Sequence, residues 1–202
     1  MPGRSTSMSG ETGLSIDLSR HGVVWLAGGP VPVALAPSDR PVARLVPARG
    51  PGRGRSSALE MGVPDLVEPR PGALSVGGRT TKDRLAAIDR WYRREARGRI
   101  EAAVERESER LGLYPGRVTI RDQRTRWGSC STTGTLSFNW RLVIGPVEAL
   151  DYVVVHELIH LRHHNHSRNF WDALSDAMPD WKPRAAWLRA NERSLTAWRP
   201  VL

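Results

Sequence analysis

A chain of 202 residues with 40% hydrophobic and 25% charged side chains has the balance of a folded globule, long enough to bury a core without staples. Its single cysteine, Cys130, excludes an intramolecular disulfide framework, and no run of about 18 apolar residues is present to cross a bilayer. The first residues, MPGRSTSMSGETG, lack the apolar stretch of a secretion signal, so no membrane association and a cytoplasmic location are expected. The formal charge of +9 is carried almost wholly by arginine, since only Lys82 and Lys182 are lysines. That charge allows weak nucleic-acid association through a basic surface without identifying it as a function.

In chain order, residues 1–13 read as a mobile Gly/Ser/Pro tail and residues 14–79 as an N-terminal β-rich region. Between Leu14 and Val46, the runs SIDL, GVVWLA, VPVAL and VARLV alternate with turn residues and predict two to four strands. The proline inside GPVPVAL suits an edge strand or no strand. ARGPGRGRSS (48–57) reads as a flexible basic loop, and Pro71-Gly72 suggests a hairpin. From Thr80 or Lys82 to Leu111, apolar residues at three- and four-residue steps predict a long helix that Gly98 could kink and Gly112 ends. RVTIRD (117–122) reads as a strand, followed by a hairpin of RTRWGSC and TLSFNWRLV around Ser131–Gly134. Pro146 and Glu148 then start a helix expected to run to about Arg162, with further helices over Phe170–Met178 and Pro183–Trp198.

Five of the six histidines fall in HELIHLRHHNH (156–166). His156 and His160 are four residues apart, one turn from each other on one helix face, where two imidazoles can share one metal ion. Glu157 then lies beside the open fourth position, placed to take a proton from water there. The helix is apolar on its core side (Leu150, Val153, Val154, Leu158, Leu161), so the polar trio needs a reason. A third ligand is also required. Histidines at i, i+4 and i+8 drift by about 40° per step and span about 12 Å of axis, which disfavours His164. His166 can return only if the helix breaks after Arg162 or His163, with Asn165 offering a left-handed residue and Ser167 capping the next helix. The spacing favours His166 and leaves Asp172, Asp176 and Glu192 as alternatives. His163 and His164 are then solvent-facing or supporting residues, Asp151 a polar support, and Cys130 either a fourth ligand in a latent state or a half-buried hairpin residue.

The motifs RWYRREAR (90–97), RTRWGSCSTTGTLSFNWRLV (124–143), PVEALDYVVVHELIHLRHHNHSRNFW (146–171) and MPDWKPRAAWL (178–188) resemble the YgjP-like metallopeptidase family, which is allied to the WLM and SprT-like zincins. The resemblance covers residues 80–195, whereas the Pro-rich stretch 14–48 is only loosely similar. It implies an α+β, zincin-like domain over residues 80–202: a twisted, mainly antiparallel sheet packed on an active-site helix. It also implies one Zn²⁺ per chain held by His156, His160 and His166, with Glu157 as catalytic acid/base. The WGSC–FNW hairpin would lie beside a cleft for a peptide or protein substrate, with Arg126, Trp127 and Asn139 either lining it or supporting the turn. Trp127, Trp140, Phe170 and Trp171 would pack the shell of the site.

The expected function is therefore zinc-dependent hydrolysis of peptide bonds. Two other readings are a protease acting on DNA-bound proteins and a non-catalytic zinc-binding protein. An intact Glu157 argues against the last, because a structural zinc needs no base and prefers a closed four-ligand shell.

Overall fold

The computed structural model describes residues 23–36, 38–46, 72–123 and 125–200. The segment SIDL, the tail 1–13 and the basic loop 48–57 lie outside the described residues, as does Pro71 of the suggested hairpin. Seven strands and four α-helices are described: β1 (Val23–Leu26), β2 (Gly29–Leu35), β3 (Ala43–Leu45), β4 (Leu74–Val76), α1 (Thr81–Leu111), β5 (Arg117–Arg121), β6 (Gly128–Cys130), β7 (Thr135–Asn139), α2 (Val147–Ile159), α3 (Arg168–Ala177) and α4 (Trp181–Ala197).

The strands form two mixed sheets, in the orders β1-β2-β4-β3 and β5-β7-β6. The architecture is α+β with sheets packed on helices, as expected. The β layer is divided, and each sheet contains one parallel pair, β2 with β4 and β5 with β7. The strand β2 shows how its prolines are accommodated. Its first half, with Pro30 and Pro32, pairs only with β1, and its second half, from Val33, pairs with β4. Each proline therefore sits where the strand has one partner, so the missing N–H need not interrupt a two-sided ladder. The turn between β1 and β2 is Ala27-Gly28, both at positive φ (50° and 76°), as a tight hairpin turn requires. Its N–H groups donate to the carbonyls of Val143 (2.8 Å) and Ile144 (3.1 Å), tying the first hairpin to the segment that leads into α2.

Helix α1 begins with a capping box: Thr80 Oγ1 accepts from the Asp83 N–H, and the Asp83 carboxylate accepts from the Thr80 N–H. Gly112 ends it at φ 65°, whereas Gly98 lies in open space and does not divide the helix. Its inner face (Ile88, Trp91, Tyr92, Ala96, Ile100) shares one core with β1–β4, β7 and α2. Tyr92 holds the two sides together, its hydroxyl donating to the Trp25 carbonyl (2.6 Å) and accepting from the Trp25 N–H (2.9 Å). The outer face is wet and laced with ion pairs such as Arg93–Asp89 and Arg97–Glu101.

The β6–β7 hairpin closes through Ser131–Gly134, with Gly134 at φ 75° and its N–H donating to the Ser131 carbonyl (3.0 Å). The expected strand over TLSFNWRLV is shorter. It stops at Asn139, whose side-chain oxygen accepts from the Arg141 N–H (3.1 Å) and starts a 3₁₀ turn over Trp140–Ile144. The side chain of Asn139 is fully buried, and its amide also donates to the carbonyl of Gln123 (2.7 Å).

Helix α2 is apolar on more than one side, so it is embedded rather than laid on a surface. Leu150, Val153, Val154 and Leu158 join the main core, while Val155 and Ile159 join a second cluster with Phe170, Leu174 and Met178 of the α3 region.

Candidate metal centre

The regular part of α2 ends at Ile159 rather than near Arg162, and the chain continues as tight turns. The N–H groups of Leu161 and Arg162 donate to the carbonyls of Leu158 and Ile159, both at 3.0 Å. This tightening turns the chain before His163, so the segment bearing His166 doubles back. No residue there is left-handed, and Asn165 acts instead through its side chain, whose oxygen accepts from the Ser167 N–H (3.3 Å). Ser167 occupies the N-cap position of α3 but makes no side-chain cap bond, so the turn depends mainly on contacts from the body of α3.

Two aromatic residues of α3 supply them. The Trp171 indole N–H donates to the His166 carbonyl (3.0 Å), and its ring stacks on the His166 imidazole at 5.4 Å. Phe170 is fully buried and lies under all three rings of the site, stacked on His160 at 4.5 Å and edge-on to His156 and His166 at 4.8 and 4.7 Å.

His156, His160 and His166 thereby converge: one ligand-capable atom from each lies within 4.8 Å of the others. The Nε2 atom of His166 is 3.0 Å from that of His156 and 3.2 Å from that of His160. Nitrogens about 2.1 Å from one tetrahedral ion sit about 3.4 Å apart, so the trio is already near the spacing a shared ion imposes. Tautomer chemistry fits as well. His160 Nδ1 is 2.8 Å from the His163 carbonyl, which can only accept. In the neutral ring Nδ1 therefore carries the proton, and Nε2 presents a lone pair to the cluster. Burial pushes His156 down to about 3, helped by its His160 and His166 neighbours, and burial also lowers His160. Neutral imidazoles are what metal coordination requires.

Among the described residues, no other His, Cys, Asp or Glu joins this group. Asp172 faces Arg168 across 3.6 Å, while Asp176 lines a separate hollow with His163 and Arg162. Glu192 stands on the wall of a cleft beside β6. His164 is exposed, and His163 contributes its carbonyl rather than its ring. Cys130 is half-buried beside the main core, and its thiol donates to the Ser131 carbonyl (3.4 Å). Asp151 is bound to Arg106 at 2.6 Å, a supporting role.

Glu157 follows His156 but turns toward β6, and it is only 6% exposed. Burial raises its carboxyl to about 7, against the opposing pull of the Arg126 charge. Its carboxylate packs against the backbone of Gly128, where an added Cβ would come within 2.6 Å of Oε1 and 2.7 Å of Cγ. Gly128 is therefore needed for close approach, a requirement set by tertiary packing that the motif WGSC alone does not disclose. The strand β6 is an edge of its sheet, and the cleft beside it has a volume of about 320 Å³. The cleft is lined by Tyr152, His156 and Glu157 of α2, by Arg126 and Trp127 on the approach to β6, and by residues of α4. Asn139 does not line this cleft, but its amide holds the loop that does, through the carbonyls of Gln123 and Arg126 (2.7 and 3.4 Å).

Three imidazoles converging beside a cleft, on an α+β frame, define a candidate mononuclear metal centre of the kind that metalloenzymes carry. A family described as YgjP-like, metallopeptidase domain, matches residues 68–191, and the chain belongs to that family. It is accordingly an enzyme of the metallopeptidase class. Among solved structures, the metallopeptidase zymogen abylysin of Pyrococcus abyssi is similar over 51% of this chain and 99% of its own, at 23% identity and a TM-score of 0.40. No curated protein matches. No helix among the described residues is long and apolar enough to cross a membrane.

Proposed function

We propose that the protein is a zinc-dependent peptidase whose metal is held by His156, His160 and His166 and whose general base is Glu157. The observation that carries this reading is the convergence of three imidazole nitrogens next to a buried carboxylate on the residue after His156, with His156 and Glu157 both lining one cleft. A zinc ion held there supplies Lewis acidity, polarising a carbonyl and acidifying water near neutral pH. The chain's own residues do the rest. Glu157 accepts a proton from the attacking water at a carboxylate oxygen and returns it to the leaving amine nitrogen. Gly128 sets where that oxygen sits, and Trp171 and Phe170 hold His166 and its partners in place. The free edge of β6 offers main-chain groups that an extended peptide can pair with, laying its backbone across Glu157.

Three neutral nitrogens suit several divalent metals, so the identity of the ion is measured first. Elemental analysis of protein purified without added metal or chelating resin, with His166→Ala in parallel, should find about one zinc per chain and its loss in the variant. No zinc in the wild type even after zinc is supplied would overturn the reading. Zinc retained by His166→Ala would move the third ligand elsewhere.

A further inference from the structure

The cleft beside Glu157 is lined by two arginines from different elements, Arg126 on the approach to β6 and Arg189 on α4. Most arginines that brace this fold are engaged: Arg184, on the same helix as Arg189, holds Asp180 at 2.7 Å, Arg106 holds Asp151, and Arg110 holds Glu107. Among the described residues, neither the Arg126 nor the Arg189 side chain has an ion-pair or hydrogen-bond partner, and both are exposed. Both line the cleft together with Tyr152 and Glu157 of α2. Glu192, one turn along α4 from Arg189, also lines the cleft but forms no ion pair with it among the described residues.

Building on the peptidase reading, we infer that the cleft selects substrates bearing a carboxylate, which Arg126 and Arg189 hold. A guanidinium presents paired N–H donors in a rigid fork matched to a carboxylate, and it stays charged at any working pH. Two such groups with no internal partner, both lining one cleft, have their pairing capacity unspent. The carboxylate has two chemical sources, an acidic side chain flanking the scissile bond or the free C-terminus of a peptide. Glu192 repels either one and so limits the affinity rather than reversing the preference.

The test is binding of dye-labelled peptides to the full-length Glu157→Gln protein loaded with zinc, read by fluorescence anisotropy, so that no turnover is needed. In C-terminally amidated peptides differing at one internal residue, Glu should bind about 5–30-fold tighter than Gln at low salt, and Lys more weakly than Gln. A second set, with no acidic side chain and either a free or an amidated C-terminus, locates the carboxylate source. Arg126→Gln and Arg189→Gln should each reduce the preference several-fold, the double change to Glu should turn it toward Lys, and Glu192→Gln should enlarge it. Both arginines are exposed, so melting temperature should stay level. Equal binding of all peptides in both sets, or a preference indifferent to both arginine changes, would overturn the inference. Cleavage of the same peptides by the wild type is scored separately. Acid-selective binding without cleavage would sink the peptidase reading alone, and cleavage without acid selectivity would sink this inference alone.

Discussion

The helices α1 and α2 handle polar groups differently. Helix α1 runs for 31 residues with one face in the core and the other in water, and its charges pair with one another along that outer face. Helix α2 runs for 13 residues between two apolar clusters, and its buried polar residue, Glu157, has no such outlet. On the outer face of α1 a charge is nearly free of cost and says little about function. On α2 Glu148 is exposed and Asp151 is paired with Arg106, whereas Glu157 is kept in the interior against a desolvation penalty and is the carboxylate of the proposed chemistry.

That contrast can be broken most directly at Glu157. Glu157→Gln should lower kcat/KM by about 10²–10⁴-fold while zinc content stays near one per chain, the proposed general base being lost and its volume kept. A variant of unchanged activity would place α2's buried carboxylate with the merely structural residues. Phe170→Ala tests the support rather than the chemistry. Removing a fully buried ring should cost about 3–5 kcal/mol of stability and, because it lies under all three imidazoles, weaken metal retention during dialysis against a chelator. Gly128→Ala should displace Glu157 with little change in melting temperature, lowering kcat by about 10²-fold with KM less affected. On α1 the effects should be small and blind to activity. Thr80→Ala removes half of the capping box and should cost about 1 kcal/mol by denaturant unfolding. Its hydrogen bond from Thr80 holds Asp83 below 3.8, so this stabilisation is fully present above that pH and is lost as acid titrates the folded carboxyl. The difference between wild type and Thr80→Ala should therefore shrink on acidification. Gly98→Ala, in open space on the same helix, should raise stability by about 0.5–1 kcal/mol.

Local signals carried far in this sequence where the determinant is itself local. The three-and-four spacing of Ile88, Trp91, Tyr92 and Ala96 marks α1, and the capping and stop residues mark its ends. Helix geometry favours His166 as the third imidazole, which can return only through a break, but leaves Asp172, Asp176 and Glu192 open; the structure brings His166 to His156 and His160. The manner of the break was less legible. A left-handed Asn165 and a side-chain bond in Asn165 serve the same turn, and local sequence does not choose between them. The early end of β7 had a readable cue in Asn139, which favours a cap over a continuing strand, but the β-rich composition of TLSFNWRLV masks it. The division of the β layer and the partner switch within β2 depend on which strands meet across more than 40 residues of chain, as between β2 and β4. Gly128 is the plainest case of a residue whose role is tertiary, since its constraint comes from Glu157, 29 positions away.

The family match begins at residue 68, yet the β1–β2 turn donates two hydrogen bonds to Val143 and Ile144, and the Tyr92 hydroxyl bonds to the backbone of Trp25. Beyond residue 191, Trp198 packs against Tyr92 at 5.0 Å from the other direction. A fragment trimmed to the shared region would therefore open the aromatic centre of the core at both ends and uncover the carbonyls that precede α2. The limits of kinship in this chain are narrower than the limits of what must fold together, and a minimal autonomous unit should be sought outside the matched span rather than within it.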